Sequence, residues 1–346
     1  VLSLYNKKKK DITKMTGRML MGLHFIFGAA GTGKTRRCCE EIRDYVTGKK
    51  GRSAFFLVPD QETYTAERML ADIFPGHGFI DATVCGFSRL AYRVFNELRS
   101  PVQDALSPLG QQIIISRILA EHRNELQMLM KISTQPHFAE NLMNLFHQLD
   151  MFCISETALH DASLAEEGTP LGRKLADLSL LYKNYHDYLH TRFSYEGSLF
   201  DLLAGEIPKS EILRRSRIWI DGFNGMTPQK IRIVSALIHT AEEVTFTLPL
   251  PDAKEGLSNE IFARPANLYA LLSEKEPHFD SVTLPEMKRF RCPRLRCLAA
   301  DYFQNVPSPC PLPKETSPVP EKGIHIVSAP DSHAEADFIS LPLIHI

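Results

Sequence analysis

Residues 23–46 read LHFIFGAAGTGKTRRCCEEIRDYV, and this stretch decides the fold. Its apolar start, Leu23–Phe27, predicts a short buried strand, and Arg36–Val46 predicts a helix. Between them, residues 28–35 match the phosphate-binding pattern G-x-x-x-x-G-K-[ST]. Strand, glycine-rich loop and helix is the context that the pattern requires, because the amides at the helix start then point at an anion. A plain glycine-rich turn before a helix is the alternative.

The loop predicts a nucleotide site with ATP and Mg²⁺ as cofactors. Its glycines let the backbone wrap closely around a phosphate. The Lys34 ammonium is expected to reach the outer phosphates, and the Thr35 hydroxyl is expected to bind the metal ion. The predicted nucleotide-binding residues are Gly28, Ala29, Ala30, Gly31, Thr32, Gly33, Lys34 and Thr35.

The chain on either side of a long central stretch alternates between strand and helix patterns. Such alternation is typical of a parallel sheet covered by helices on both faces, so the predicted fold class is α/β. The predicted strands are Leu23–Phe27, Ala54–Val58, Asp81–Val84, Arg217–Asp221 and Val244–Leu248. The predicted helices include Gln61–Phe74, Phe87–Leu98, Gln229–Thr240 and Asn259–Ser273.

The central stretch between Ser107 and Arg192 predicts one helix after another and no strand. Ser107-Pro108 and Thr169-Pro170 are N-caps followed by proline at the first helical position. Within Leu171–Leu189, apolar side chains recur at helical spacing. We therefore predict an all-helical subdomain inserted into the sheet domain. Its apolar stripes are interpreted as core packing, with a partner or DNA surface as the alternative.

The domain organisation follows from these patterns. We predict an extension at residues 1–20 that is disordered or non-native, a core of residues 21–104 and 215–304, a helical insertion at residues 105–214, a Pro-rich linker at residues 305–322, and the start of a truncated second domain at residues 323–346. A DNA-contacting tail is the alternative for the basic extension, and an edge strand of the first sheet is the alternative for the last segment. Pro342 is expected to end the helix predicted at residues 334–339.

The amino-acid composition excludes few classes of protein. With 44% hydrophobic residues, 23% charged residues and a net charge of −1, the chain is typical of a globular protein and shows no global preference for nucleic acid. No apolar run approaches the roughly 20 residues of a membrane helix, so no membrane partner is expected. The seven cysteines are odd in number and scattered, which predicts reduced thiols in the cytoplasm rather than disulfides or zinc.

A nucleotide loop needs an acidic partner at the end of a neighbouring strand, and Asp221 is the candidate. It ends the apolar strand Ile218–Ile220 and would hold the Mg²⁺ shell, usually through a water molecule. Thr35 and Asp221 are therefore the predicted metal-site residues, and together with Lys34 they form the predicted catalytic set. A turn aspartate that opens the loop Gly222–Gly225 is the alternative.

The residue after Asp221 departs from the pattern of ATP-hydrolysing motors. Those proteins usually place a second carboxylate there, which acts as a general base on the attacking water. Here the position is Gly222, and no carboxylate follows before Glu242. The sequence therefore favours nucleotide binding over hydrolysis.

Taken together, four ordered motifs resemble the N-terminal part of one family. The family is that of the B subunits of the bacterial AddAB ATP-dependent helicase/deoxyribonucleases, relatives of RecBCD, and the resemblance runs from about Leu23 to Ala329. Only the nucleotide loop is specific by itself, whereas the ordered set is more specific. The motifs are Phe25–Thr35, Leu57–Glu62, Gly86–Ala91 and Asp221–Phe223, the last followed by Thr227-Pro228.

The resemblance implies a RecA-like, UvrD-type helicase fold with a P-loop NTPase core interrupted by a helical subdomain. It also implies a heterodimer with an AddA-type subunit that carries the motor. The resemblance further implies that this heterodimer is a helicase and exonuclease complex, which binds single- and double-stranded DNA and processes double-strand breaks for recombinational repair. The family's nuclease domain, which carries an iron–sulfur cluster, is expected to lie outside this chain. None of the seven cysteines is assigned to that cluster.

The candidate DNA-binding residues are Phe87, Ser88 and Arg89, which follow the third predicted strand. Relatives in the superfamily meet single-stranded DNA at this place, and a ring, a hydroxyl and a cation suit base and phosphate contacts. The alternative is a capped helix with Phe87 in the core and Arg89 in solvent.

Three functions remain open at this level. The first is an ATP- and DNA-binding subunit of a helicase/nuclease with a degenerate site. The second is a non-hydrolysing DNA-recognition or scaffold module with a vestigial nucleotide site. The third, a small-molecule kinase, is disfavoured because such kinases are compact and rarely carry so long a helical insertion.

Overall fold

The computed structural model describes residues 22–48, 53–74, 76, 78–100, 106–135, 137–192, 196–251, 260–290, 292–301 and 328–344. The predicted extension at residues 1–20, the linker at residues 305–322 and the first residues, 323–327, of the predicted second domain lie outside the described residues. Two compact units are present. The first comprises residues 1–28 and 34–284, and the second comprises residues 29–33 and 285–346.

The first unit is built on a six-stranded parallel sheet with the strand order β3-β2-β4-β5-β1-β6. The strands are β1 Gly22–Phe27, β2 Ser53–Leu57, β3 Ala82–Cys85, β4 Ser216–Ile220, β5 Glu243–Leu248 and β6 Phe279–Thr283. The α/β class and the parallel sheet predicted from the sequence are confirmed.

The sixth strand was not predicted. Phe279–Thr283 reads FDSVT and leaves three of its five residues exposed, so it lacks the apolar run of a buried strand. It pairs in parallel with β1 at the edge of the sheet, where Phe25 lies opposite Ser281. Its pairing with a buried strand, rather than its own hydrophobicity, makes it a strand.

Helices of the first unit connect and cover the strands. In chain order they are α1 Lys34–Gly48, α2 Thr63–Ile73, α3 Phe87–Leu98, α4 Pro108–Glu121, α5 Phe138–Met151, α6 Glu156–Ala165, α7 Pro170–Arg192, α8 Glu196–Glu206, α9 Glu211–Arg214, α10 Pro228–Thr240 and α11 Ala263–Lys275. The helix α11 begins four residues later than predicted, because the turn Glu260–Phe262 precedes it as a short 3₁₀ helix.

Side chains alternate between the two faces of the sheet, and each face has its own hydrophobic core. Ile26 and Phe56 lie on the face covered by α1 and α2, in a cluster that includes Trp219. Phe25 and Phe55 lie on the opposite face, in a cluster with side chains of α3, α8, α10 and α11. Both faces are therefore buried, which explains the nearly continuous apolar runs of the central strands.

The helices α4–α7 share a third hydrophobic cluster that is separate from the two beside the sheet. The helix starts agree with the predicted caps. The Ser107 hydroxyl accepts a hydrogen bond from Gly110 N, and the Thr169 hydroxyl accepts one from Gly172 N at 3.0 Å. Each cap satisfies a backbone donor that the first turn of a helix leaves free. The helix α8, in contrast, packs into the sheet-domain cluster through Leu203.

One buried carboxylate holds this helical region together. Asp177 on α7 is 2% exposed, and its carboxylate accepts hydrogen bonds from the backbone N–H groups of Gln127, Met128 and Leu129 at 2.9, 2.7 and 2.8 Å. These bonds fix the segment between α4 and α5, which has no regular partner for those donors.

We expect Asp177→Asn to lower the free energy of unfolding by about 1–2 kcal/mol, because an amide nitrogen would face backbone donors that now bind a charged acceptor. Chemical denaturation measures this effect, and Asp161→Asn on the exposed side of α6 is the matched control. Equal unfolding midpoints for the two variants would show that Asp177 does not stabilise the segment.

The second unit contains the loop residues Ala29–Gly33 and the helices α12 Pro293–Asp301 and α13 Ser332–Ile344. The expectation that Pro342 ends a helix is wrong, since α13 continues to Ile344. Proline removes one backbone donor, and at this position only the last turn of the helix is left to be affected.

The thiols largely match the expectation of reduced cysteines. Cys38, Cys39, Cys85, Cys153 and Cys292 are free. Cys297 is disulfide-bonded, so the expectation is wrong there. Separation along the chain does not restrict a disulfide once the fold brings two thiols together. Among the described helices, none is both long enough and apolar enough to cross a bilayer.

Candidate nucleotide-binding site

The glycine-rich loop joins β1 to α1 and has the backbone that its glycines permit. Gly31 and Gly33 have φ values of 91° and 90°, in the left-handed region that side chains disfavour. The Thr32 hydroxyl donates to the Ala29 carbonyl at 3.0 Å, and Thr32 is only 2% exposed. The loop is therefore a compact turn that depends on glycine at residues 31 and 33.

Lys34, the first residue of α1, folds back along the strand end. Its Nζ donates to the carbonyl oxygen of Gly28 at 2.7 Å. Burial lowers the pKa of Lys34, and the nearby charge of Asp221 partly opposes that shift. A half-buried ammonium held beside the start of the loop can transfer its hydrogen bonds to a phosphate. Thr35 follows as the second residue of α1 and is also half-buried.

Asp221 lies directly after β4 and is 5% exposed. Its backbone N–H donates to the carbonyl of Leu57 at 3.0 Å, which continues the pairing of β4 with β2. Its carboxylate accepts a hydrogen bond from the Thr247 hydroxyl on β5. Because the carboxyl ends of parallel strands meet at one sheet edge, the fold brings Asp221 within electrostatic range of Lys34. The strand that carries Asp221 is not the neighbour of β1 that the sequence predicted, since β5 lies between β4 and β1.

The residue after Asp221 is constrained as well as small. Gly222 has a φ of 83°, and a Cβ placed on it would lie 2.6 Å from Glu62 Oε2 and 3.0 Å from Pro59 Cδ. Glu62 belongs to the short turn Asp60–Glu62 that follows β2. Burial, and after it the charge of Asp221, raises the pKa of Glu62. A carboxylate therefore lies beside residue 222, although none follows it in the sequence.

The sequence alone did not indicate that the Glu62 carboxylate lies beside Gly222. The residue was part of a motif quoted for the family resemblance, but it lies far from Asp221 along the chain. Only the adjacency of β2 and β4 brings the two strand ends together. The same turn also contacts the other neighbouring strand end, because the Asp60 carboxylate fills the space that a side chain on Gly86 would need.

In the second unit, residues 287–289 pack against the loop. The backbone N–H groups of Lys288 and Arg289 donate to the Gly31 carbonyl at 2.9 and 3.0 Å. A Cβ on Gly31 would lie 2.8 Å from Arg289 Cβ. Both cationic residues are exposed, and sequence reasoning missed them because neither belongs to a recognisable motif. Both of these backbone contacts are made to one carbonyl of the loop, that of Gly31.

The three predicted DNA-binding residues lie in different environments. Phe87 is 3% exposed, and its ring packs on Phe223 with centroids 5.5 Å apart, so it has the core position of the alternative interpretation. Ser88 is half-buried at the start of α3. Arg89 is exposed and pairs with Glu67 at 3.5 Å. Contacts of Ser88 and Arg89 with DNA stay a prediction.

A groove of about 590 Å³ opens beside the loop that follows Asp221. The side chains along it combine rings, amides and a cation, a combination that sequence reasoning missed because its members come from three separate segments. They include Phe152, Phe223, Asn224, Arg264 and Asn267. Such a surface suits a strand of nucleic acid, whose bases stack on rings and whose phosphates attract cations.

The predicted metal-site residues, Thr35 and Asp221, offer few protein ligands. Within the described ranges, no group of three or more His, Cys, Asp or Glu side chains could hold a metal ion. The Thr35 hydroxyl and the Asp221 carboxylate alone would leave most positions around Mg²⁺ to water and phosphate oxygens, which is how this ion is usually bound with nucleotides.

Comparison with known proteins gives a consistent result. The family described as "ADDB, N-terminal" matches residues 25–298. The chain is 33% identical over 307 residues to the B subunit of the ATP-dependent helicase/deoxyribonuclease of Heliobacterium modesticaldum, covering 84% of this chain and 25% of the relative. It is also 33% identical over 334 residues to the protein of the same name from Pelotomaculum thermopropionicum, covering 92% of this chain and 28% of the relative. The chain thus spans about a quarter of the length of these relatives.

Proposed function

This chain belongs to the ADDB N-terminal family, and from that membership we propose that it is the ATP- and DNA-binding N-terminal part of the B subunit of an ATP-dependent helicase/deoxyribonuclease. The relatives that carry this name cover most of the chain. In the proposed complex, the chain forms a heterodimer with an AddA-type subunit, and the pair processes double-strand breaks for recombinational repair. Unwinding and strand cleavage are activities of the complex, and the iron–sulfur cluster belongs to a part outside this chain.

Nucleotide binding is carried by one observation: Lys34 lies against the carbonyl of Gly28, within the electrostatic field of Asp221. The loop residues 28–35 would bind the phosphates through backbone amides, and Lys34 would neutralise their outer charge. Thr35 and Asp221 would complete the shell of Mg²⁺, which supplies charge neutralisation when it is bound. This arrangement supports a P-loop site on a RecA-like sheet.

A second candidate function is favoured by Gly222. Without a carboxylate in that sequence position, the site could bind ATP without hydrolysing it, and the chain would then act as a DNA-recognition or scaffold module. In that case, a bound nucleotide would not be hydrolysed. It would only change the conformation of the sheet edge where Asp221 and the turn Asp60–Glu62 meet.

Equilibrium binding of a fluorescent ATP analogue in the presence of Mg²⁺ tests the proposal, with phosphate release followed in the same samples. Saturable binding that EDTA weakens is expected. Binding without turnover supports the second candidate, whereas DNA-stimulated turnover supports a working ATPase. If no binding is observed up to millimolar analogue, the nucleotide site is wrongly assigned.

The DNA-binding proposal predicts a defined effect of Arg89. We expect Arg89→Ala to weaken binding of a fluorescent single-stranded oligonucleotide about 5-fold at low salt and to reduce the slope of log K against log salt by about 0.7, as expected for the loss of one phosphate contact. Arg215→Ala is the matched control, since Arg215 is equally exposed but precedes β4 at the far end of the strand. Equal slopes for the two variants would remove Arg89 from the interface.

A further inference from the structure

The space beside Gly222 is occupied by a carboxylate from another strand. A side chain on residue 222 would begin only 2.6 Å from Glu62 Oε2. ATP-hydrolysing motors on this plan place their general base directly after the acidic residue of the strand, which is residue 222 here. The sequence has no carboxylate at residue 222. In the folded chain, however, the Glu62 carboxylate, on the turn that follows β2, lies beside that residue.

Glu62 is one of three acidic residues described at this sheet edge, and it is the one whose carboxylate lies beside residue 222. The carboxylate of Asp221 accepts a hydrogen bond from Thr247, and that of Asp60 packs against Gly86. Within the described part of the chain, the Glu62 carboxylate has no hydrogen bond and no ion pair, and the residue is exposed to solvent. A water molecule can therefore reach it, and its lone pairs are free to accept a proton.

The backbone of Glu62 is nevertheless held in place. Its N–H donates to the Pro59 carbonyl at 2.8 Å, and the Thr63 hydroxyl donates to the Asp60 carbonyl at 2.9 Å. The preceding strand β2 pairs in register with β4, so that Leu57 lies opposite Ile220, the residue before Asp221. The short turn thus fixes the backbone of Glu62 relative to the strand end that carries Asp221.

We propose that Glu62 is the general base of ATP hydrolysis in this chain and takes the role that Gly222 cannot fill. This inference rests on the proposed nucleotide site. In the step, a Glu62 carboxylate oxygen removes a proton from a water molecule as the water oxygen bonds to the γ-phosphorus. The bond between that phosphorus and the β–γ bridging oxygen breaks, its electron pair stays on ADP, and the proton passes from Glu62 to solvent.

The test is single-turnover hydrolysis of γ-labelled ATP by an excess of the full 346-residue chain with single-stranded DNA and Mg²⁺. We expect Glu62→Gln to slow the chemical step about 100-fold or more, the usual effect of losing a general base, with ATP-analogue affinity unchanged within 2-fold. Glu62→Asp should retain part of the rate. Glu274→Gln, which removes an exposed carboxylate from α11, is the matched control and should behave as the wild type.

A binding measurement separates catalysis from packing. ADP with fluoroaluminate mimics the transition state, and Glu62→Gln should weaken this complex while leaving ADP affinity unchanged. Wild-type turnover by Glu62→Gln, or no turnover by the unaltered chain, overturns the role of Glu62. A parallel loss of ADP affinity in Glu62→Gln would assign Glu62 to nucleotide binding and would also overturn its role as the general base. If Lys34→Ala binds ATP as well as the unaltered chain does, the nucleotide site itself fails, and the basis of this inference fails with it.

Discussion

Replacing Lys34 by alanine is expected to weaken binding of an ATP analogue about 10- to 100-fold. A charge-assisted contact between an ammonium and a phosphate contributes about 1.5–3 kcal/mol, which corresponds to this range. The structure supports the expectation because the Lys34 ammonium is already half-buried at the start of the loop, bonded to Gly28. Little side-chain freedom would be lost when a phosphate replaces that carbonyl as its partner.

The measurement is fluorescence anisotropy of the labelled analogue with Mg²⁺ over a range of protein concentrations. Lys174→Ala is the matched control, because Lys174 is an exposed lysine on α7 outside the sheet domain. Unfolding midpoints of both variants show that the fold is intact. Equal affinities for the two variants would mean that the loop 28–35 is a glycine-rich turn without a nucleotide, the alternative that the sequence left open.

Gly222→Glu, the substitution that would restore the sequence pattern of a motor, is expected to destabilise the chain by about 3 kcal/mol or more and to give no gain in turnover. The backbone at residue 222 has a φ of 83°, which costs about 1–3 kcal/mol for a residue with a Cβ. The new side chain would also meet Glu62 and Pro59 at less than van der Waals distance and add a second carboxylate, besides that of Glu62, next to Asp221.

Chemical denaturation and the single-turnover assay together measure this effect. Gly205→Glu is the matched control, because Gly205 lies on α8 with nothing within 4 Å of an added Cβ and no positive φ. We expect that control to be neutral or stabilising by up to about 1 kcal/mol, since glycine is a poor helix former. A stable Gly222→Glu protein with raised turnover would show that Glu62 moves aside and that the site lacks a base without the substitution.

The candidate nucleotide site and the proposed DNA-binding residues contact one shared structural element. The turn Asp60–Glu62 contacts Gly222, next to Asp221, through Glu62 and contacts Gly86, at the start of α3, through Asp60. Ser88 and Arg89 follow directly on that helix. If nucleotide binding moves the backbone of this turn, the contact of Asp60 with Gly86 changes with it. The DNA-binding measurements on Arg89→Ala should therefore be made with and without the ATP analogue.

Local patterns in the sequence determined the fold class, five of the six strands and the caps at Ser107 and Thr169, because each depends on residues within a few positions of one another. Short motifs in the sequence also selected the glycine-rich loop and Asp221 as candidate site residues, and their roles in nucleotide binding stay predictions. Family membership followed from the order of these motifs.

Tertiary structure alone decided the rest. The strand β6 exists because β1 offers it an edge, and its own polar sequence does not mark it as a strand. Phe87 is a core residue because Phe223 covers its ring. Glu62 lies beside Gly222 because β2 and β4 are neighbours in the sheet, although about 160 residues separate them in the chain. Sequence periodicity reports only local geometry. The chemistry of a site on a parallel sheet depends on which strand ends become neighbours, and the packing of the whole domain sets the order of the strands.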